Sequence, residues 1–137
     1  MTDTHTPEIR RYNMSRIRGK DTAPEIIVRK FLWDLGYRYR LHVSALPGKP
    51  DVVLTKYRTV IFVNGCFWHG HKRCRDFVMP KSRRDYWIPK IQNNIKKDKL
   101  YKKELRKLSW NVCTVWECQL KKNVANKTLS RLATQLR

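Results

Sequence analysis

The fold of this 137-residue chain is decided by the stretch Asp51-Val-Val-Leu-Thr-Lys-Tyr-Arg-Thr-Val-Ile-Phe-Val63, which contains two short apolar runs around a polar connection. Apolar runs of this length are typical of buried β-strands. The connection Lys56-Tyr57-Arg58 is so short that the two strands are predicted to pair as a hairpin. This hairpin is the centre around which we predict the rest of the sheet.

The segments on both sides of the hairpin add helices and two more strands. Thr22-Ala-Pro-Glu25 has the capping pattern of a helix start, and Gly36 is expected to end that helix. Periodicity predicts a strand at 37–41, a helix at 86–108, a strand at 111–117 and a helix at 127–136, with residues 64–82 irregular. The order αβββαβα indicates an α/β fold in which one mixed sheet is flanked by helices.

The charge balance of the chain is strongly positive. Lys and Arg number 31 against 11 Asp and Glu, which gives a formal net charge of +20. A hydrophobic fraction of 41% excludes intrinsic disorder and supports a packed core. So large a charge on so small a protein favours a polyanionic partner, and we expect nucleic acid. Residues 81–107 alone carry 11 Lys or Arg, which we expect to contact phosphates.

The length supports one compact domain preceded by a basic arm. Residues 1–20 carry several Arg but few large apolar side chains, so we expect them to contact nucleic acid, with residues 21–137 forming a single domain. The apolar runs are far shorter than the roughly 18 residues that a membrane span needs, and no secretory apolar segment is present near Met1. We therefore expect no membrane association, a cytoplasmic location and four reduced Cys.

Asp51 and Glu25 are candidates for a cation site. Asp51 opens an otherwise apolar strand, and the next strand ends at Val63, where backbone carbonyls lie at the same end of the hairpin. A hard cation such as Mg²⁺ accepts carboxylate and carbonyl oxygens together. Glu25 is explained by its capping role, although it also shares a helix face with Val28, Leu32 and Leu35.

Asp98 is unusual because it lies on the inward stripe of the long helix. That predicted stripe consists of Ile91, Ile95, Tyr101, Leu105 and Leu108. A buried, unpaired carboxylate is costly, so Asp98 requires a cation, a metal-bound water or a protonated His nearby. A structural pair with a Lys or Arg of the core fits the spacing equally well.

A short irregular segment combines two Cys and two His, namely Cys66, His69, His71 and Cys74. The spacing of Cys66, His71 and Cys74 suits a tetrahedral Zn²⁺, and Cys118, just after the last strand, is the expected fourth ligand. We favour zinc over a disulfide because a reducing compartment is expected, and we place Cys113 in the core. Spacing alone also allows His69 to be the ligand and His71 to lie in solvent. If His71 is the ligand, His69 is available for general acid or base chemistry.

Three strings of the sequence jointly resemble the very short patch repair (Vsr) DNA mismatch endonucleases. They are Leu46-Pro-Gly-Lys-Pro-Asp51, Val60-Ile-Phe-Val-Asn-Gly-Cys-Phe-Trp-His-Gly-His71 and Val115-Trp-Glu-Cys118. The resemblance implies a restriction-endonuclease-like αβββαβ core with a structural zinc site. It also implies Mg²⁺-dependent nicking of one strand of double-stranded DNA beside the T of a T:G mismatch, which arises where 5-methylcytosine has deaminated. Residues 21–137 would then be the nuclease domain of a monomer, with functional links to a DNA cytosine-5 methyltransferase and to mismatch-repair factors.

The resemblance further implies roles for individual residues. Asp51 and the main-chain carbonyl of Val63 would bind Mg²⁺, Glu25 and Asp98 would hold metal-bound waters, and His69 would be the general base. The implied zinc ligands are Cys66, His71, Cys74 and Cys118. Met14, Phe67 and Trp68 would wedge into the base stack, with Lys90 and Asn94 near the mispaired bases. Such a wedge is plausible because unstacking costs least at a mismatch, and we expect at least one of the two adjacent aromatic side chains to be exposed.

The sequence departs from the commonest family pattern at two positions beside the implied metal site. Val63 stands where Thr is frequent, which matters little if only its carbonyl binds metal. Asn64 stands where His is frequent, which removes a titratable group and bears on the rate and pH optimum of the reaction. Two other functions stay open: a restriction-type nuclease acting on matched DNA, and a zinc-stabilised nucleic-acid-binding module without catalysis.

Overall fold

The computed structural model describes residues 22–136, so the predicted arm at 1–20, with Met14, lies outside the described residues. One four-stranded sheet is built from β1 (Arg40–Leu41), β2 (Val52–Leu54), β3 (Thr59–Asn64) and β4 (Asn111–Trp116), in that spatial order. Three helices accompany it: α1 (Ala23–Asp34), α2 (Arg84–Lys107) and α3 (Ala125–Gln135). Within residues 22–136 no helix has both the length and the apolar composition to cross a membrane.

The predicted hairpin is confirmed, with a longer connection than expected. β2 and β3 pair antiparallel, with Val53 opposite Val60. A single 3₁₀ turn over Thr55–Tyr57 joins them, and Arg58 then takes a left-handed backbone conformation with φ of 49°. The hairpin therefore needs one left-handed residue to bring the chain back.

The other strand pairs make the sheet mixed, as predicted. β1 joins the open side of β2 antiparallel, whereas β4 pairs parallel with β3, with Val63 opposite Val115. Because the ends of two parallel strands cannot be joined by a short turn, the chain between β3 and β4 makes a crossover that contains α2. This crossover carries the irregular segment 65–83 from the end of β3 to the start of α2.

Apolar side chains cover both faces of the sheet. One core layer, between the sheet and the helices α1 and α3, contains Val28, Leu32, Val52, Leu54, Ile61, Val63, Val115, Leu120, Leu129, Leu132 and Leu136. A smaller layer on the opposite face contains Val53, Val60, Phe62 and Leu105 of α2. Successive residues of β2 and β3 point to opposite layers, which is why both strands are apolar throughout.

The first helix begins as predicted, and its last helical residue is Asp34, two residues before Gly36. Thr22 and Glu25 form a reciprocal capping box, in which the Thr22 N–H donates to Glu25 Oε2 at 3.3 Å. Val28 and Leu32 are fully buried, and Glu25 on the same face is only 4% exposed. Leu35, which follows the last helical residue, is 54% exposed.

Two other expectations require correction. In the long helix Ile91 and Leu105 are buried, but Leu108 is 52% exposed because it caps the helix end, where the chain turns away from the core. The first strand spans Arg40–Leu41 rather than residues 37–41, because only these two residues pair with β2.

Candidate active site

Two acidic side chains from different elements meet at one end of the central hairpin. Asp51 lies just before β2, and its Oδ2 accepts a hydrogen bond from the backbone N–H of Val63 at 2.6 Å. Glu25 reaches the same place from the first turn of α1. One ligand atom from each of Glu25, His42 and Asp51 lies within 4.8 Å of the others. We call these three residues the carboxylate centre.

The carboxylates of Glu25 and Asp51 lie close together and largely out of contact with water. Burial raises the pKa of Asp51 to about 7, since the opposing hydrogen bond from Val63 is outweighed and the nearby Glu25 carboxylate adds repulsion. Two crowded carboxylates in a partly dry site are the donor set that a divalent cation prefers. The residues present therefore fit a divalent cation such as Mg²⁺.

His42 and Arg29 belong to this centre, although the sequence did not single them out. Nη2 of Arg29 lies 3.0 Å from Glu25 Oε2 and 3.0 Å from Nε2 of His42. The other ring nitrogen of His42 lies 3.7 Å from Asp51 Oδ1. No local pattern marks these residues, because their contacts join α1 to the turn after β1.

His69 and Asp98 form a second polar pair. His69 Nδ1 lies 2.6 Å from Asp98 Oδ2, and both side chains are partly buried. The inward-facing Asp98 of the long helix thus has a His side chain as its partner. A nearby His was one of the partners that the sequence analysis considered for this carboxylate. Because Asp98 engages Nδ1, the free nitrogen of His69 is Nε2.

The structure brings together the four predicted zinc-binding side chains. Single ligand atoms of Cys66, His71, Cys74 and Cys118 all lie within 4.8 Å of one another. Cys118 Sγ is 3.5 Å from His71 Nδ1, close to the roughly 3.6 Å expected between S and N ligands on a tetrahedral Zn²⁺. His71, and not His69, faces the cysteines, so the geometry favours the first of the two histidine assignments. We call this group the Cys/His cluster, and its donor set fits zinc.

The surroundings of the Cys/His cluster also suit metal ligation. The backbone N–H groups of Cys118 and Asp76 donate to the sulfurs of Cys66 and Cys74, each at 3.4 Å. The His71 ring stacks on Trp116 with centroids 3.9 Å apart and planes within 6°. Burial lowers the pKa of His71, which keeps the imidazole neutral as a metal ligand requires.

Two of the three thiols of the cluster resist ionisation, whereas the pKa of the third, Cys74, is lowered because its burial is outweighed by hydrogen bonds from the Asp76 backbone, Cys66 and Cys118. Burial raises the pKa of Cys66 to about 12 and also raises the pKa of Cys118. Cys113 is half-buried against the larger core layer, where burial raises the pKa of its thiol, in agreement with its predicted core role. All four cysteines are free thiols, as expected.

The predicted wedge residues lie in an aromatic cluster. Phe67 and Trp68 contact each other edge to face and both contact Trp87 near the start of α2, with ring centroids 5.3–5.6 Å apart. Both are half-buried, so the expectation that at least one of them is exposed is wrong, because each packs against the other and against Trp87. Trp87 was missed because an aromatic residue in the first turns of a helix looks like an ordinary core residue.

Two contacts hold the aromatic cluster on α2. Asn94 Nδ2 donates to the backbone carbonyl of Trp68 at 2.9 Å. Gly70 has φ of +59°, and a Cβ there would approach Ile95 to 2.7 Å, so only glycine allows this close packing. Lys90 is exposed on the same helix, with its Nζ 5.9 Å from the Tyr86 ring centroid. Asn94 and Lys90 therefore flank the aromatic side chains.

Asn64, the second departure from the family pattern, ends β3 opposite Trp116 of β4. Its side chain is buried, with 3% of the residue exposed. The side chain at this position therefore lies inside the protein. Along the chain, Asn64 follows Val63 directly and precedes Cys66 of the Cys/His cluster by two residues.

Comparison with known proteins supplies independent information. A family model described as DNA mismatch endonuclease Vsr matches residues 2–76. The type II nicking enzyme V.NmeAIP of Neisseria meningitidis serogroup A is 44% identical over 138 residues, covering 100% of this chain and 98% of the relative. V.XorIIP of Xanthomonas oryzae pv. oryzae is 51% identical over 120 residues, which cover 88% of each protein. DNA mismatch endonuclease Vsr of Escherichia coli K12 is 40% identical over 121 residues, covering 88% of this chain and 77% of the relative.

These similarities agree with the arrangement of the site. The segment matched by the family model contains Glu25 and Asp51 of the carboxylate centre and three members of the Cys/His cluster. The similarity to the relatives extends across most of the remaining sequence. This chain therefore belongs to the DNA mismatch endonuclease Vsr family.

Proposed function

We propose that this protein is a Mg²⁺-dependent endonuclease that nicks one strand of duplex DNA beside the T of a T:G mismatch. The observation that carries the proposal is the carboxylate centre, where two acids from separate elements converge at the end of the hairpin. A binding module without catalysis has no need to bury acids in a protein whose net charge is +20.

In this proposal Asp51 and the main-chain carbonyl of Val63 hold the Mg²⁺. The N–H and C=O of one residue in an extended strand point to the same side, and the Val63 N–H already points at Asp51. Glu25, buried beside Asp51, would hold a metal-bound water. Bound Mg²⁺ would polarise the scissile phosphate and lower the pKa of a nearby water.

His69 is proposed as the general base, with Asp98 as its orienting partner. Asp98 holds Nδ1, so that Nε2 is the nitrogen that accepts a proton from the attacking water. As that proton leaves, the water oxygen bonds to phosphorus, the bond from phosphorus to the leaving sugar oxygen breaks, and that oxygen keeps the electron pair and takes a proton from solvent. The negative charge of Asp98 would stabilise the imidazolium that forms. We propose this role for Asp98 in place of the role that the resemblance implies, which is to hold a metal-bound water.

Zinc at the Cys/His cluster is proposed to be structural. Four protein ligands leave no open position, so the bound metal would only hold the chain in place. The cluster connects the loop after β3 to Cys118 after β4, and that loop carries Phe67, Trp68 and His69. Fixing one loop therefore positions both the aromatic side chains and the proposed base.

The DNA is proposed to lie across the aromatic cluster and the basic face of α2. Phe67 and Trp68 would enter the base stack, with Met14 from the amino-terminal arm, while Lys90 and Asn94 approach the mispaired bases. An edge-to-face contact of Phe67 with Trp87 and a tilted contact of Trp68 with Trp87 support the two rings. We expect a monomeric, cytoplasmic enzyme whose substrate originates where a DNA cytosine-5 methyltransferase has acted and whose product passes to mismatch-repair factors.

The test is nicking of two duplexes that differ only in one base, T:G and T:A, each with Mg²⁺ and with EDTA. The proposal expects one-strand cleavage of the T:G duplex in Mg²⁺ and no cleavage in the other three reactions. Equal nicking of both duplexes in Mg²⁺ would indicate a restriction-type activity on matched DNA and would contradict a role in mismatch repair. Binding without cleavage of either duplex would leave a DNA-binding module.

A further inference from the structure

His42 lies between the two acids of the carboxylate centre and has no role in the reaction as proposed. Its Nδ1 lies 3.7 Å from Asp51 Oδ1, and its Nε2 lies 3.6 Å from Glu25 Oε2. The side chain is only 15% exposed. A nearly buried imidazole placed against both carboxylates is in position to control how they are presented.

The backbone directs the His42 ring into the centre. The His42 N–H donates to the backbone carbonyl of Asp51 at 3.3 Å, which extends the β1–β2 pairing by one residue beyond Leu41 and Val52. At this point His42 has φ of 48°, a left-handed conformation that few residues other than glycine adopt. Such conformations persist where surrounding contacts impose them. Here the left-handed conformation of His42 holds its imidazole beside Asp51.

The contact with Arg29 determines which ring nitrogen of His42 carries the proton. A guanidinium has only donors, and Arg29 Nη2 lies 3.0 Å from Nε2 of His42. Nε2 therefore accepts, so the ring proton is on Nδ1, which faces Asp51 Oδ1. The distance of 3.7 Å is longer than a hydrogen bond, and a shift of roughly 0.5 Å would close it.

We propose that His42 is a positioning residue for Asp51: Arg29 holds Nε2 of the ring, and the Nδ1–H holds Oδ1 of the carboxylate. Val63 already holds Oδ2 through its N–H. Once the Nδ1–H of His42 closes on Oδ1, each oxygen of Asp51 has one donor, the carboxylate plane is fixed and the remaining lone pairs are available to a cation. The inference rests on the proposed function, because the cation in question is the Mg²⁺ of that function.

This arrangement has a chemical consequence for the metal. If Nδ1 is protonated and Nε2 accepts from Arg29, neither nitrogen of His42 is free to be a ligand. The centre then offers oxygen ligands only, which suits Mg²⁺ better than metals that prefer imidazole. The opposite arrangement, in which His42 binds the metal directly, requires Nδ1 to lose its proton.

The first test concerns the metal-free protein and does not depend on catalysis. Nitrogen-15 NMR of the side chain of His42 distinguishes its two neutral forms. We expect the form protonated at Nδ1, and Arg29→Gln should weaken this preference. A ring protonated at Nε2 in the native protein would overturn the proposal.

The second test uses two variants whose amide groups replace different nitrogens of the His42 imidazole. The amide nitrogen of His42→Asn lies near the position of Nδ1 and can donate to Asp51, whereas the polar end of His42→Gln lies near the position of Nε2. Calorimetry should show Mg²⁺ affinity falling about 10-fold or more for His42→Gln and less than about 3-fold for His42→Asn, as is usual for groups that orient a metal ligand. Asn also tolerates a left-handed backbone, so the melting temperature of each variant must be measured.

Controls separate this proposal from the proposed function. Ser44→Ala, in the exposed loop two residues further on, should bind Mg²⁺ like the native protein. Equal affinities of both His42 variants, or a nitrogen-14 coupling from His42 in the pulsed EPR spectrum of Mn²⁺-loaded protein, would overturn the positioning role while leaving the nuclease intact. If the native protein binds no divalent cation and cleaves no DNA, the proposed function itself fails.

Discussion

Asp51 loses most of its contact with water on folding and gains a negative neighbour in Glu25. Burial raises the pKa of Asp51 to about 7, even though the Val63 N–H favours the charged form. At pH values between its ordinary pKa of 3.8 and about 7 the folded protein therefore keeps a proton that the unfolded chain releases. For an acid with a raised pKa, the stability of the metal-free protein falls as the pH rises through this window and is constant above it.

Asp51→Asn is therefore expected to stabilise the metal-free protein at pH 8. Asn has the same shape, its carbonyl oxygen can accept from Val63, and it carries no charge to bury. At about 1.36 kcal/mol per pH unit, the expected gain in the free energy of unfolding is of the order of 2–4 kcal/mol. Urea unfolding in EDTA at pH 8 and at pH 4 measures it, with a smaller gain at pH 4.

Asp34→Asn is the matched control, because Asp34 lies on the same helix as Glu25 with its side chain 61% exposed. Its effect on the free energy of unfolding should stay within about 0.5 kcal/mol at both pH values. Destabilisation of the protein by Asp51→Asn at pH 8 would contradict the crowding of charge described for the carboxylate centre.

In the proposed mechanism Asp98 acts through His69, so removing the Asp98 charge should affect the chemical step more than DNA binding. Asp98→Asn keeps the size of the side chain but loses the charge that stabilises the imidazolium of His69. We expect single-turnover nicking to slow by about 10²–10⁴-fold with unchanged DNA affinity. Glu104→Gln, an exposed position on the same helix, should nick at the native rate. A native rate for Asp98→Asn would remove the pair from the mechanism.

At the scale of helices and strands, the sequence predicted what local patterns determine. The capping residues Thr22 and Glu25 marked the start of α1, and the two apolar runs marked β2 and β3. Errors occurred at element ends, where Leu35 and Leu108 continue the helical spacing but follow the last turn. Periodicity extends past a helix end, whereas burial depends on where the chain turns away.

The candidate site was predictable where the chemistry is unusual in the local sequence. Cysteines and histidines close together, and an acid on the apolar stripe of a helix, identified Cys66, His71 and Asp98. His42 and Arg29 were missed because ordinary polar residues become part of a site only when separate elements pack together. Their contacts span 13 residues and depend on the left-handed turn at His42, which the sequence does not indicate.

The Cys/His cluster ties two elements together, so loss of one ligand should affect the whole loop. Cys66→Ser is expected to reduce zinc from about one ion per chain to near zero and to lower the melting temperature by more than about 10 °C. Metal analysis and thermal unfolding measure these effects. Cys113→Ala should retain zinc, since Cys113 packs against the core outside the cluster. A zinc-free Cys66→Ser protein with native stability would contradict the structural role.

At the scale of the whole molecule, the net charge of +20 dominates encounters with DNA. The long helix concentrates this charge, with exposed Lys side chains along most of its length. Phosphate contacts of this kind release counterions from the duplex and carry no sequence information. In the proposed function, selection of the mismatch is therefore assigned to the aromatic cluster and the residues beside it.

Binding to a fully matched duplex should consequently depend steeply on salt. With six to ten phosphate contacts, affinity is expected to fall by about 10³–10⁵-fold between 50 and 200 mM salt. Fluorescence anisotropy with a labelled duplex gives the slope directly. A decrease of less than about 10-fold over this range would show that the positive surface is not the DNA-binding surface.

The carboxylate centre is the central claim, and single-turnover nicking of a T:G duplex by Asp51→Asn protein in saturating Mg²⁺ tests it most directly. Because this variant is expected to fold at least as well as the native protein, loss of activity cannot be attributed to unfolding. We predict a rate at least about 10³-fold lower, with DNA affinity retained. Nicking within 10-fold of the native rate would contradict the assignment of Asp51 to the catalytic metal.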